Sequence, residues 1–161
     1  MIKYALAIII LSLAMTLAKR YVSRLREDAL LTREILDLVI FLDERMALSL
    51  APIPILLEDY KSQHLTECGF LPAVLRGEDM GCAFFTYVKT DGLGDGATQL
   101  VGTLFKRLGS GAIGIESERI KSARCELEKI SRERDESLKK ESSVTYTLTL
   151  SAALAIIILL L

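Results

Sequence analysis

The stretch from Glu116 to Leu161 constrains the chain most. From Glu116 to Glu141, 16 of 26 residues are Asp, Glu, Lys or Arg. From Val144 to Leu161 there is no charge at all. The first part suits water and the second suits lipid. A helix of about 18 residues reaches roughly 27 Å at about 1.5 Å per residue, close to a hydrocarbon core about 30 Å thick. The stretch reads as a charged helix, 115–143, that leads into a C-terminal transmembrane helix, 144–161.

The other end of the chain is also apolar. Tyr4 to Ala18 carries no charged residue. Its length resembles a signal-peptide core, and Thr16-Leu17-Ala18 is a passable cleavage site. The basic residues argue for an uncleaved anchor instead. Lys19, Arg20, Arg24 and Arg26 come after the run, whereas Lys3 and the amino terminus precede it. By the positive-inside rule this asymmetry keeps the next segment in the cytoplasm. Lys139 and Lys140 lie just before the closing segment and nothing basic comes after it. Both spans of the cell membrane therefore place the middle region in the cytoplasm and both termini outside.

That middle region is long enough for one domain with a modest core. The net charge of the chain is -1, which gives no basic excess for nucleic acid. Cys68, Cys82 and Cys125 are an odd number at irregular spacing, which argues for a reducing compartment rather than a disulfide framework. Ile35, Leu38, Val39, Leu42 and Met46 predict the apolar face of a helix over 28–49. Pro52 stops that helix and Pro54 suits the first turn of the next, over 55–62. Residues 65–81 read as a helical connection punctuated by Gly69, Pro72 and Gly77. Residues 82–88 have a strand-like composition. A lone strand among helices has no partner, so a helix is expected there. A loop over 91–96, a helix over 97–108 and a glycine-rich loop over 109–114 complete the domain. In the charged helix, Ile120, Ala123, Leu127 and Ile130 form a narrow stripe close to a heptad seam. It suits packing against the chain's own domain, with self-association as the alternative. Glu128–Arg132, Asp135–Lys139 and Glu136–Lys140 have the spacing of supporting ion pairs.

The fold class expected is therefore all-α: a 1–18 transmembrane anchor, a 19–114 cytoplasmic helical bundle, the 115–143 charged helix and the 144–161 span. Motifs that carry chemistry are weak. Gly109-Ser-Gly-Ala-Ile-Gly114 and Gly92-Leu-Gly-Asp-Gly-Ala97 match the dinucleotide glycine pattern. That pattern needs a strand before it and a βαβ unit around it, and the chain has no room for one. Asp91-Gly-Leu-Gly-Asp95 resembles the start of an EF-hand loop, but too few ligands come after it. His64 and Cys68 share a helical spacing, and two ligands do not close a zinc site. No catalytic constellation is present. The expectation is a non-enzymatic protein with no cofactor, no metal and no small-molecule substrate.

The layout resembles a known family. An N-terminal span is followed by Lys19-Arg20-Tyr21. A helix containing Glu44 runs into the turn Pro52-Ile-Pro54. Phe105-Lys-Arg-Leu-Gly109 precedes a charged helix with Ile120 and Leu127 in phase, and a span ends the chain. This is similar to stage III sporulation protein AB, whose helical domain is related to the F-type platform proteins of type II secretion and type IV pilus machines. The family continues past its Leu-Gly with a Ser-Asp turn, where this chain has the glycine-rich Ser110 to Glu118, which lacks that Asp. The resemblance implies a scaffold subunit of a channel complex in the mother-cell membrane facing the forespore. Its partners would be the complex's cytoplasmic ATPase, other membrane subunits and the bilayer. It marks Glu44, Pro52, Pro54 and Gly109 as turn and interface residues. A platform or adaptor of another secretion or pilus system is the alternative, and a membrane-anchored nucleotide-binding protein that uses the glycine loops ranks third.

Overall fold

The computed structural model describes residues 2–49, 51–108 and 113–160 of the chain. Every regular element among them is a helix. Two long helices, α1 (Ile2–Leu48) and α7 (Ile113–Leu160), bracket five shorter ones. These are α2 (Ile53–Leu56), α3 (Gln63–Glu67), α4 (Phe70–Leu75), α5 (Met80–Tyr87) and α6 (Asp95–Arg107), with a 3-10 turn at Thr90–Gly92. The chain divides into two compact units. Asp28–Arg132 form the larger, and the residues before and after them form the smaller. Each long helix contributes residues to both units.

The larger unit is built on an apolar core. Ile35, Leu38, Val39 and Leu42 of α1 are fully buried at helical spacing, as their pattern requires. Ile120, Ala123 and Leu127 of α7 are buried in the same core, and Ile130 packs against it. The stripe on the charged helix is thus covered by the chain's own domain. Phe70, Phe84 and Phe105 meet at the centre. Phe84 and Phe105 lie edge to face with centroids 5.5 Å apart, and Phe70 stacks on Phe105 at 6.0 Å. Such geometry suits the charge distribution of aromatic rings.

The short helices obey local rules that burial then selects. Pro52 caps α2 and Pro54 lies in its first turn, where a missing N–H costs nothing. The helix ends earlier than its apolar residues suggest. Ser62 leaves helical geometry to cap α3, accepting the Leu65 N–H at 3.2 Å, and Tyr60 is tied to α1. Gly77, at φ 91°, closes α4. Its N–H bonds the Val74 carbonyl at 2.9 Å, and the Glu78 N–H bonds Ala73 at 3.1 Å. That pair of bonds satisfies the carbonyls of the last turn. Asp79 then caps α5, accepting the Cys82 N–H at 2.8 Å. Met80, Ala83, Phe84 and Val88 are buried while Cys82, Phe85 and Thr86 face solvent. Helical amphipathicity and the cap thus override the strand-like composition of 82–88.

Helices α5 and α6 approach closely through glycines. A Cβ on Gly81 would meet the backbone N and Cα of Lys106 at 3.0 Å. Backbone cannot yield as a side chain can. Gly81→Ala is therefore expected to destabilise the fold by about 1–3 kcal/mol, the usual range for overpacking. Gly96→Ala meets open space on α6 and is expected to be neutral or stabilising by up to about 1 kcal/mol. Chemical denaturation of the two variants, followed by circular dichroism, checks both signs.

Candidate functional site

Three surfaces are candidates for function: the paired ends of the long helices, a groove on the helical domain, and the turn after α1.

The smaller unit pairs the start of α1 with the end of α7. A shallow cleft between them is lined by Ala14 and Ala18 on one side and Leu148, Ala152 and Ala153 on the other. Ala18, Val22 and Ala153 are buried. Small side chains let the two backbones approach, which is how helices associate in lipid. The Tyr21 hydroxyl donates to the Glu141 carboxylate at 3.1 Å. Residue numbers rise on one helix as they fall on the other, so the pair is antiparallel. Glu141 accepts the phenol hydrogen bond and adds its negative charge, so the Tyr21 pKa is raised above the ordinary tyrosine value. The outward faces carry Ile8, Ile9, Leu13, Leu154 and Ile158, all exposed. Among the described residues, α7 is the one helix long and apolar enough to cross a membrane. The uncharged run at the start of α1 is shorter than the roughly 20 residues a crossing needs.

Several hydroxyl groups in these apolar segments bond their own helix. Thr16 donates to the Ser12 carbonyl at 2.7 Å, Thr147 to Ser143 at 2.9 Å and Ser151 to Thr147 at 2.8 Å. Each is a bond back to the preceding turn of its own helix.

On the larger unit, α6 and α7 leave an open groove of about 450 Å³. Leu100, Leu104 and Ala123 form its apolar side, and Gln99, Arg119 and Glu126 its polar side. Nearby, Arg124 bridges two helices. Its Nε bonds Glu128 at 2.9 Å, and its Nη1 lies 3.5 Å from Asp43 of α1. Glu128, whose spacing suggests Arg132 as a partner, takes Arg124 one turn earlier.

The residues marked by sequence resemblance lie apart from that groove. Glu44 is exposed near the end of α1, and Pro52 is exposed and Pro54 half-buried at the start of α2. Gly109 lies outside the described residues, as does most of the 109–114 glycine loop. The other glycine motif, 92–97, begins on the last residue of the 3-10 turn after α5 and runs into α6. Among the described residues no strand precedes it. His64 and Cys68 sit at the two ends of α3, and the Cys68 backbone N–H bonds the His64 carbonyl at 2.9 Å. Asp79 hydrogen-bonds the exposed Cys82 thiol and pushes its pKa up, the opposite of what an activated nucleophile needs. Among the described residues, no three His, Cys, Asp or Glu side chains are close enough to hold a metal ion.

One polar cluster was not visible in the sequence. Tyr60 donates its hydroxyl to the Glu34 carbonyl at 3.1 Å, and Ser62 donates to the Glu34 carboxylate. Together they fasten the α2–α3 connection to α1. Burial, then the Asp37 and Glu34 carboxylates, raise the Tyr60 pKa well above the usual tyrosine value.

No protein-family model, no curated protein and no solved structure matches the chain. Its own residues and geometry carry the functional reading.

The Tyr60 anchor has a pH signature. The unfolded phenol ionises near pH 10, and the folded one holds its proton to higher pH. Between those values the unfolded state releases the proton first, so stability falls as pH rises above about 10. Tyr60→Phe is expected to cost about 0.5–1.5 kcal/mol at neutral pH and to flatten the alkaline decline. Denaturation between pH 7 and pH 11 measures both.

Proposed function

We propose that the chain is a non-enzymatic scaffold subunit of a membrane complex of the sporulation-channel type. Its helical domain is the cytoplasmic platform that contacts the complex's ATPase. Its two apolar ends are membrane spans that contact other subunits and lipid. The observation that carries the reading is the antiparallel pairing of the two apolar ends. Ala14 and Ala18 line a cleft with Ala152 and Ala153, while lipid-like side chains face outward from both helices. A soluble domain gains nothing from exposing Ile8, Ile9, Leu13 and Ile158 to water, whereas a bilayer covers them at no cost. Paired in this way, a start of α1 that is short for a lone span crosses beside α7.

Basic residues come after the first apolar segment and before the second, which puts the domain in the cytoplasm. The resemblance to stage III sporulation protein AB supplies the kind of complex, the mother-cell membrane and the ATPase. An exposed Glu44 beside the Pro52–Pro54 turn is placed for contact with a partner. An alkaline-phosphatase reporter fused after Leu161 is expected to be active, and a cytoplasmic reporter there to be silent. The reverse result would refute the two-span topology. Detergent-solubilised protein is expected to retain an ATPase encoded beside it. Glu44→Lys is expected to lower that retention about tenfold with an unchanged melting temperature. Wild-type protein that retains no ATPase would sink the platform role.

A further inference from the structure

A band of positive charge lies where the paired helices change from apolar to polar. The Tyr21–Glu141 hydrogen bond sets its level. Lys19, Arg20 and Arg24 on α1, and Lys139 and Lys140 on α7, are all within three residues of that bond. At about 1.5 Å per residue, the five lie within roughly 4.5 Å of it along the helix axes. All five side chains are exposed. None forms an ion pair with a described carboxylate. Over 19–24 and 138–144 the one acidic residue is Glu141, and it already accepts the Tyr21 hydroxyl. The band is thus strongly and locally cationic, although the whole chain has a net charge of -1.

We propose that this collar binds anionic phospholipid head groups and selects them over zwitterionic ones. The inference rests on the membrane reading above and adds a lipid preference to it. The placement favours lipid over a soluble acidic partner. The collar directly adjoins the exposed Leu17 and Val144, so its cations stand at the depth where phosphates lie when the apolar segments fill the hydrocarbon. Basic residues at a membrane surface each attract anionic lipid by a factor of roughly five. Contributions from two helices converge here on one level. The Tyr21–Glu141 bond holds both helices in register, and it keeps the single carboxylate turned toward the phenol rather than toward a phosphate.

The chain has no tryptophan, so one introduced reporter gives an unmixed signal. Leu150→Trp, at an exposed position in the apolar segment, is reconstituted as the full chain in bilayers of mixed composition. Quenching by brominated phosphatidylglycerol is compared with quenching by brominated phosphatidylcholine. The expected result is a relative association constant at least about threefold in favour of phosphatidylglycerol. The preference should shrink at high salt and fall to about one when Lys19→Gln, Arg20→Gln, Lys139→Gln and Lys140→Gln are combined. A ratio near one in the parent, with full quenching by both lipids, overturns the collar and leaves the membrane reading standing. So does a preference that survives the combined variant. Loss of the preference in inorganic phosphate at constant ionic strength also overturns it, by making the collar a phosphate site. Absence of quenching in either bilayer overturns the membrane reading and the collar together.

Discussion

Burial against the two long helices is the constraint on which the domain depends. Helices α2 to α5 have four to eight residues each, far below the length at which a helix holds itself in water. Caps and proline placement choose where each begins and ends. They do not supply enough energy to keep it formed. That comes from covering Leu38, Val39 and Leu42 on one long helix and Ile120 and Leu127 on the other, with the Phe70–Phe84–Phe105 cluster between them. Any change that loosens this seam acts on every short helix at once.

Much of this was legible in the residues. The stripe of Ile120, Ala123 and Leu127 announces a buried face because its period is helical and its neighbours are charged. The α1 face is legible for the same reason. The 82–88 segment required one more step, since its composition favours a strand and only the lack of a partner strand argues for a helix. The division of 53–67 into two helices was not legible. It depends on Tyr60 and Ser62 reaching Glu34, a contact between residues 26 and 28 positions apart. The partner of Glu128 was misjudged for a similar reason. Arg124 is held in place by Asp43 of α1, and local spacing carries no trace of that bond. The α6–α7 groove is likewise a product of two helices meeting. The turn residues Glu44, Pro52 and Pro54 were placed by resemblance, and burial patterns alone would not have singled them out.

The two units obey one backbone rule with different surface compositions. In a helix every interior N–H and C=O finds its partner within the segment, whatever surrounds it. A single helix can therefore carry a charged stretch and an apolar stretch without a break, as α7 does over 116–141 and 144–160. Charge density then decides which portion suits water, and the collar around Tyr21 and Glu141 marks the change. The glycine loop before α7 carries the letters of a nucleotide motif, but those letters also suit a helix end, where a turn must be free of side chains.

The back-bonded hydroxyls of Thr16, Thr147 and Ser151 bear on assembly. A hydroxyl that needs a neighbouring helix locks that neighbour in place, because parting leaves a polar group stranded in hydrocarbon. Here each hydroxyl is already satisfied by its own helix. What holds the two helices together is then the fit of the small side chains Ala14, Ala18, Ala152 and Ala153 and the Tyr21–Glu141 hydrogen bond, not these three hydroxyls.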